Sequence, residues 1–138
     1  MPLKLTLKPH EKVIIGNAVI ENLARGATFL ILNTTTILRE KDIFTEETAD
    51  TPAKRIYYVI QLMYLSGSLE ESKAHHPDYF ELTRQFQEAC PTPEAFELIA
   101  GMGQHILDDN FYAALKTCKK LIEYEKGILE GAAPGSDE

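Results

Sequence analysis

The chain has 138 residues, a net charge of −7, and 25% charged against 44% hydrophobic residues. That is ordinary globular composition, so disorder throughout is excluded. A chain of this length buries roughly two thirds of its unfolded surface and needs no metal or disulfide staple. No apolar run approaches the roughly 18 residues of a membrane span. The alternating start Leu3-Lys4-Leu5-Thr6-Leu7-Lys8 lacks the continuous apolar stretch of a secretory signal. Cys90 and Cys118, with no CxxC pair, predict buried thiols of a cytoplasmic protein.

Strands come first in the chain. Leu3, Leu5 and Leu7 at period 2 predict a half-buried strand whose other face carries Lys4, Thr6 and Lys8. Pro9-His10-Glu11 reads as a turn. Val13-Ile14-Ile15, Gly16-Asn17 and Ala18-Val19-Ile20 read as a hairpin. Thr28–Leu32 and Thr36–Leu38 complete a small antiparallel sheet of four or five strands. About 40 residues of sheet are too few to stand alone, so the sheet is expected to pack on helices or pair with another chain.

Helices follow. Thr51-Pro52 and Thr92-Pro93 each place a threonine cap before a proline at the first helical position. Ile56, Val59, Ile60 and Met63 follow the spacing of a buried helical face. Gly67 ends that helix, and Ser68 to Glu71 has capping-box spacing. His76-Pro77 opens a stretch with Phe80 and Phe86. A further helix carries Phe96, Ile99, Met102 and Ile106, weakened by Gly101 and Gly103. The last has Phe111, Leu115, Cys118, Leu121 and Ile122 inward, with Asp108-Asp109-Asn110 supplying the break before it and its cap. The pairs 52–66 with 77–89 and 93–107 with 110–126 suit helical hairpins. The fold class expected is α+β: a sheet or small barrel over 1–41, a connector over 42–51, four to five helices over 52–126, and a disordered acidic tail over 127–138.

No catalytic pattern appears. His75-His76 point about 100° apart on a helix and lack the convergent third ligand that a zinc site needs. Cys118 lies on an apolar face, where thiols are inert, so pairing with His105 as base is not expected. There is no Gly-rich phosphate loop. The sequence therefore predicts a non-enzyme with no cofactor and no metal.

The charge is divided unevenly. Residues 1–41 hold six basic groups (Lys4, Lys8, Lys12, Arg25, Arg39, Lys41) and three acidic ones (Glu11, Glu21, Glu40), a net +3. The remaining 97 residues hold 8 basic and 18 acidic groups, a net −10. Lys4, Thr6 and Lys8 share a strand face, and Lys12, Arg39 and Lys41 flank it if the first and last strands meet. Such a stripe grips phosphates, and a sheet edge offers backbone groups to unpaired bases. The same lysines serve equally to keep an edge strand from unwanted pairing. The absence of interleaved aromatic residues favours edge protection. Tyr57, Tyr58 and Tyr64 fall within two helical turns; core packing takes one or two, and the rest suit a partner surface.

Several stretches resemble the FlbT family of flagellar regulators from alphaproteobacteria. They are Leu3–Pro9 with Val13–Asn17, Ile37–Ile43, Thr51–Tyr58 with Gln61–Leu65, and Tyr112–Lys116 with Leu121–Glu125. The resemblance covers residues 2–126. It implies post-transcriptional control in the cytoplasm: binding of the 5′ untranslated leader of flagellin messenger RNA, promotion of its decay, and a link to the small flagellar protein FlaF. A shorter likeness, Leu5-Thr6, Lys8, Glu11, Val13 and Ile15-Gly16, is similar to the opening of the translational repressor CsrA. It implies RNA contact at Thr6 and Lys8 and association of two sheets, although Leu7 and Pro9-His10 depart from that pattern. On this footing the RNA-binding set is Lys4, Thr6, Lys8, Lys12, Arg39 and Lys41, with homo-oligomerisation through the sheet a further expectation. The competing expectation is an adaptor whose acidic helical half docks FlaF or flagellin through Tyr57, Tyr58 and Tyr64.

Overall fold

Alternation along the first strand is real in three dimensions: Leu5 and Leu7 are buried, while Lys4 and Thr6 are exposed. The computed structural model describes residues 3–130. Strand β1 (Leu3–Leu7) pairs antiparallel with β4 (Ala27–Ile31), Leu3 opposite Ile31 and Leu7 opposite Ala27. Strand β2 (Lys12–Ile15) lies between β3 (Ala18–Glu21) and β5 (Ile37–Arg39), antiparallel to both.

The one sheet expected is therefore two, of two and three strands. A tight turn separates β1 from β2, which lie in different sheets. His10 takes a left-handed φ of 64°, and Glu11 N–H donates to the Lys8 carbonyl at 3.1 Å. Beyond this turn β2 pairs with β3 and β5, not with β1. The β2–β3 hairpin turns at Gly16, with φ of +63° and space for a Cβ only 3.1 Å from the Thr35 hydroxyl oxygen, so glycine is required there. Leu5, Leu7 and Val13 form a small core, packed by the partly buried Ile15, Ile31 and Ile37. These strands make up one compact unit, Met1–Ile43; the helices make up the other, Phe44–Glu138.

The described helices are α1 (Pro52–Tyr64), α2 (Leu69–Lys73), α3 (His76–Ala89), α4 (Pro93–Leu107) and α5 (Phe111–Leu129). Both Thr-Pro starts hold: Thr51 Oγ1 accepts from Lys54 N–H, and Thr92 Oγ1 accepts from Ala95 N–H, each at 3.2 Å. Ser68 caps α2. Within Asp108-Asp109-Asn110 it is Asn110 that caps α5, its Oδ1 accepting from Ala113 N–H at 3.3 Å, while Asp109 takes a left-handed φ of 58°. Helix α4 runs unbroken through Gly101 and Gly103. It packs along α5 as a hairpin, whereas α1 packs on both α3 and α5. Helix α5 continues past Gly127 to Leu129, so no tail begins at 127. Residues 131–138 of the expected tail lie outside the described residues.

Helix α5 also fastens the starts of two other helices. The buried Glu125 accepts from the Thr51 hydroxyl at 2.5 Å and from Ala53 N–H at 2.9 Å. A carboxylate at the first turn of α1 meets the positive end of its dipole. From the adjacent position, the Tyr124 hydroxyl shares a hydrogen bond of 2.7 Å with Thr92 Oγ1 at the start of α4. Replacing Glu125 with Ala removes two bonds to a charged acceptor and leaves Ala53 N–H buried. The expected loss of stability is about 3 kcal/mol, read as a lower urea midpoint; an unchanged midpoint refutes the role.

Candidate nucleic-acid interface

The exposed face of β1 carries Lys4 and Thr6, with Lys8 exposed just beyond its end. Across the strand pair, Lys4 stands opposite Leu30 and Thr6 opposite Thr28. The two threonine hydroxyls share a hydrogen bond of 3.2 Å. Lys12 is exposed at the start of β2, opposite Glu21, and Lys41 is exposed in a single 3-10 turn, Glu40–Asp42. Among the described residues, none of these four ammonium groups forms an ion pair.

Arg39 behaves differently. Its Nη2 donates to the Thr6 carbonyl at 2.6 Å and lies 3.0 Å from Glu11 Oε2, and its Nε donates to the same oxygen at 3.3 Å. Glu11 Oε1 also accepts from Lys8 N–H at 2.9 Å. The Lys8 amide, followed by the Arg39 guanidinium, holds the Glu11 carboxyl below its usual pKa. The first and last strands do not pair. A guanidinium from β5 reaches the backbone of β1 instead, and this basic group is directed inward at a carboxylate. A second carboxylate, Glu40, accepts from Lys12 N–H at 2.6 Å and ties β2 to the 3-10 turn that bears Lys41. The structural roles of Glu11 and Glu40 depend on partners 28 residues away, which no local pattern marks.

The tyrosines divide. Tyr57 is fully buried, its ring 4.7 Å from that of Phe44, so it cannot form part of a partner surface. Its place follows from helical phase, because it shares the buried face with Ala53, Ile56 and Ile60. Tyr58 is half-buried beside Phe44 and Leu62. Tyr64 is half-buried with its ring 5.8 Å from the exposed Tyr112, over which Lys116 sits 5.2 Å from the centroid. An apolar cleft of about 360 Å³ opens among α1, α3 and α5, lined by Pro52, Leu82, Phe86, Cys90, Ile128 and Leu129. Burial pushes the Cys118 thiol well above its ordinary pKa, which withholds the reactive thiolate. Cys90, expected to be buried, is partly exposed. No described helix is long and apolar enough to cross a membrane.

The family model described as "Flagellar protein FlbT" matches residues 3–129. A relative from Bradyrhizobium diazoefficiens named "Probable flagellum biosynthesis repressor protein FlbT 1" is 44% identical over 99% of this chain and 93% of its own. A similarly named protein of Rhodopseudomonas palustris is 43% identical over 94% of this chain and 98% of its own. The "Flagellum biosynthesis repressor protein FlbT" of Caulobacter vibrioides is 33% identical over 99% of both. No solved structure matches the chain.

The lowered pKa of Glu11 sets a pH dependence. Its contribution is complete above the ordinary carboxylate pKa and is lost as pH falls through the lower folded value. The stability gap between wild type and Glu11→Gln is therefore expected to close as the pH is lowered from about 5 through the acidic range. Denaturation curves across that range test this, and a gap that stays constant counts against a carboxylate role.

Proposed function

The chain belongs to the FlbT family, and on that footing we propose that it represses flagellum synthesis by binding the 5′ untranslated leader of flagellin messenger RNA and promoting its decay. The observation that supports this reading is the open lysine face of the sheet unit. Lys4 and Lys8, with Lys12 and Lys41 in the same compact unit, have ammonium groups available for phosphates. Lysines suit phosphate as point charges that need no planar geometry. The Thr6 and Thr28 hydroxyls on the same face offer hydrogen bonds to base edges or ribose hydroxyls. Arg39 acts in this scheme as the strut that holds the strand carrying Lys4, Thr6 and Lys8. The work is non-enzymatic and cytoplasmic, where the messenger is, and FlaF is the proposed protein partner.

A second reading has its own support. The cleft among α1, α3 and α5 and the Tyr64–Tyr112–Lys116 cluster suit docking of an apolar segment of FlaF or flagellin. In that case the effect on messenger is indirect, and the overall charge of −7 is no obstacle.

A gel shift against the labelled leader, with scrambled RNA as competitor, separates the readings. Specific retention is expected, weakening as salt rises by nearly one log unit per log unit for each phosphate neutralised. Lys4→Glu with Lys8→Glu is expected to abolish it, while Tyr64→Ala leaves it intact. Retention unaffected by the double reversal in a folded protein removes this face from the site. No specific retention by wild type favours the adaptor.

A further inference from the structure

We propose that β4 is a self-association edge: two copies of the chain pair their β4 strands antiparallel about a two-fold axis. The two sheets present four outer strands, β1, β4, β3 and β5. Soluble proteins protect such edges with charge, proline or bulges. Three of the four are protected in this way. β1 carries Lys4 and is followed by Lys8, β3 ends on Glu21, and β5 ends on Arg39.

β4 has none of these devices. From Gly26 to Leu38 there is no charged residue and no proline. Thr28-Phe29-Leu30-Ile31-Leu32 is a run of strong strand formers, the composition that pairs readily when left open. Apolar groups stand on both sides of the strand: Phe29 is 47% exposed and its neighbour Leu30, on the opposite face, 61%. Leu32, just past the strand, is 73% exposed.

Charge selects the occupant. Two copies at −7 repel each other in general, and edges such as β1 would bring lysine against lysine. An isologous contact sets each residue of the strand against others of the same strand, and in β4 none of them carries a charge in any register. Pairing extends β1–β4 into a four-stranded sheet and gives a unit with few core residues the added strands that a stable sheet needs. A perpendicular two-fold puts Lys4, Thr6 and Lys8 of both copies on one face, with the two β1 strands roughly 14 Å apart, three strand spacings. The use of that shared face for RNA rests on the reading above; the pairing does not.

The test is the solution mass of the full chain by light scattering at micromolar concentration. Wild type is expected at twice 15.5 kDa. Leu30→Glu, which faces Lys4 of its own chain and so keeps the monomer sound, is expected to halve the mass with an unchanged circular dichroism spectrum. Leu32→Glu is expected to do the same. Val19→Glu, on the exposed face of β3 in the other sheet, is expected to keep the doubled mass. A wild-type mass of 15.5 kDa overturns the proposal. So does a doubled mass retained by both β4 variants, or dissociation by Val19→Glu to the same extent. The gel shift on the same samples reports separately on RNA, so failure there leaves the mass result standing.

Discussion

The contact on which the sheet unit depends is the Glu11–Arg39 ion pair with its two backbone attachments. Glu11 accepts from Lys8 N–H, and Arg39 donates to the Thr6 carbonyl, so one charge pair joins β1, the turn after it and β5. The apolar core there is only Leu5, Leu7 and Val13 with three partly buried neighbours. Hydrogen bonds with an ionised partner are roughly twice as strong as neutral ones. In a unit with so little buried surface, such bonds decide whether the outer face of β1 is held in one place. An isolated surface pair adds little to stability; this one differs because both of its members also bind backbone groups of other segments.

The helical unit uses the same device at larger scale. Its core is continuous, with Ile56, Tyr57, Ile60, Met63, Tyr79, Met102, Ile106 and Leu121 almost fully enclosed. Burial fixes which faces meet but leaves each helix free to slide along its axis. Glu125 and Tyr124 remove that freedom by meeting the first turns of α1 and α4. Gln61 does likewise for the segment before α1, accepting from the Phe44 amide at 2.8 Å and donating to its carbonyl at 2.9 Å. In both units apolar packing sets the layers, and a few long-range polar contacts set the register.

That division also explains what the sequence disclosed. Periodicity and caps are local, so the alternation of β1, the two Thr-Pro helix starts and the inward face of α5 were legible, and the α+β class with them. The split into two sheets was not, because which strands pair is decided by contacts between distant segments, such as β1 with β4, that no local pattern marks. The partners of Arg39 and Glu125 were not, because 28 and 74 residues separate the groups and no local pattern marks them. Tyr57 is a different case. The phase of Ala53, Ile56 and Ile60 already placed it inward, and the signal was hidden by reading three tyrosines as a cluster instead of one by one. Four of the six residues assigned to RNA contact are lysines whose ammonium groups lie outside any described ion pair, whereas Arg39 is a strut.

Net charge is a poor guide to what such a chain binds. Residues 1–43 carry six basic and four acidic groups, so the excess of acid belongs to the helical unit. At physiological salt, exposed charges are screened beyond about 8 Å. A phosphate arriving at Lys4 and Lys8 responds to the charges within that radius, not to the sum over the chain. Arg39 directed at Glu11 cancels one pair of opposite charges beside β1 and leaves the lysines as the local excess. The ion pair that holds the strand in position is itself neutral, so within the sheet unit it takes nothing from the charge that the lysines present.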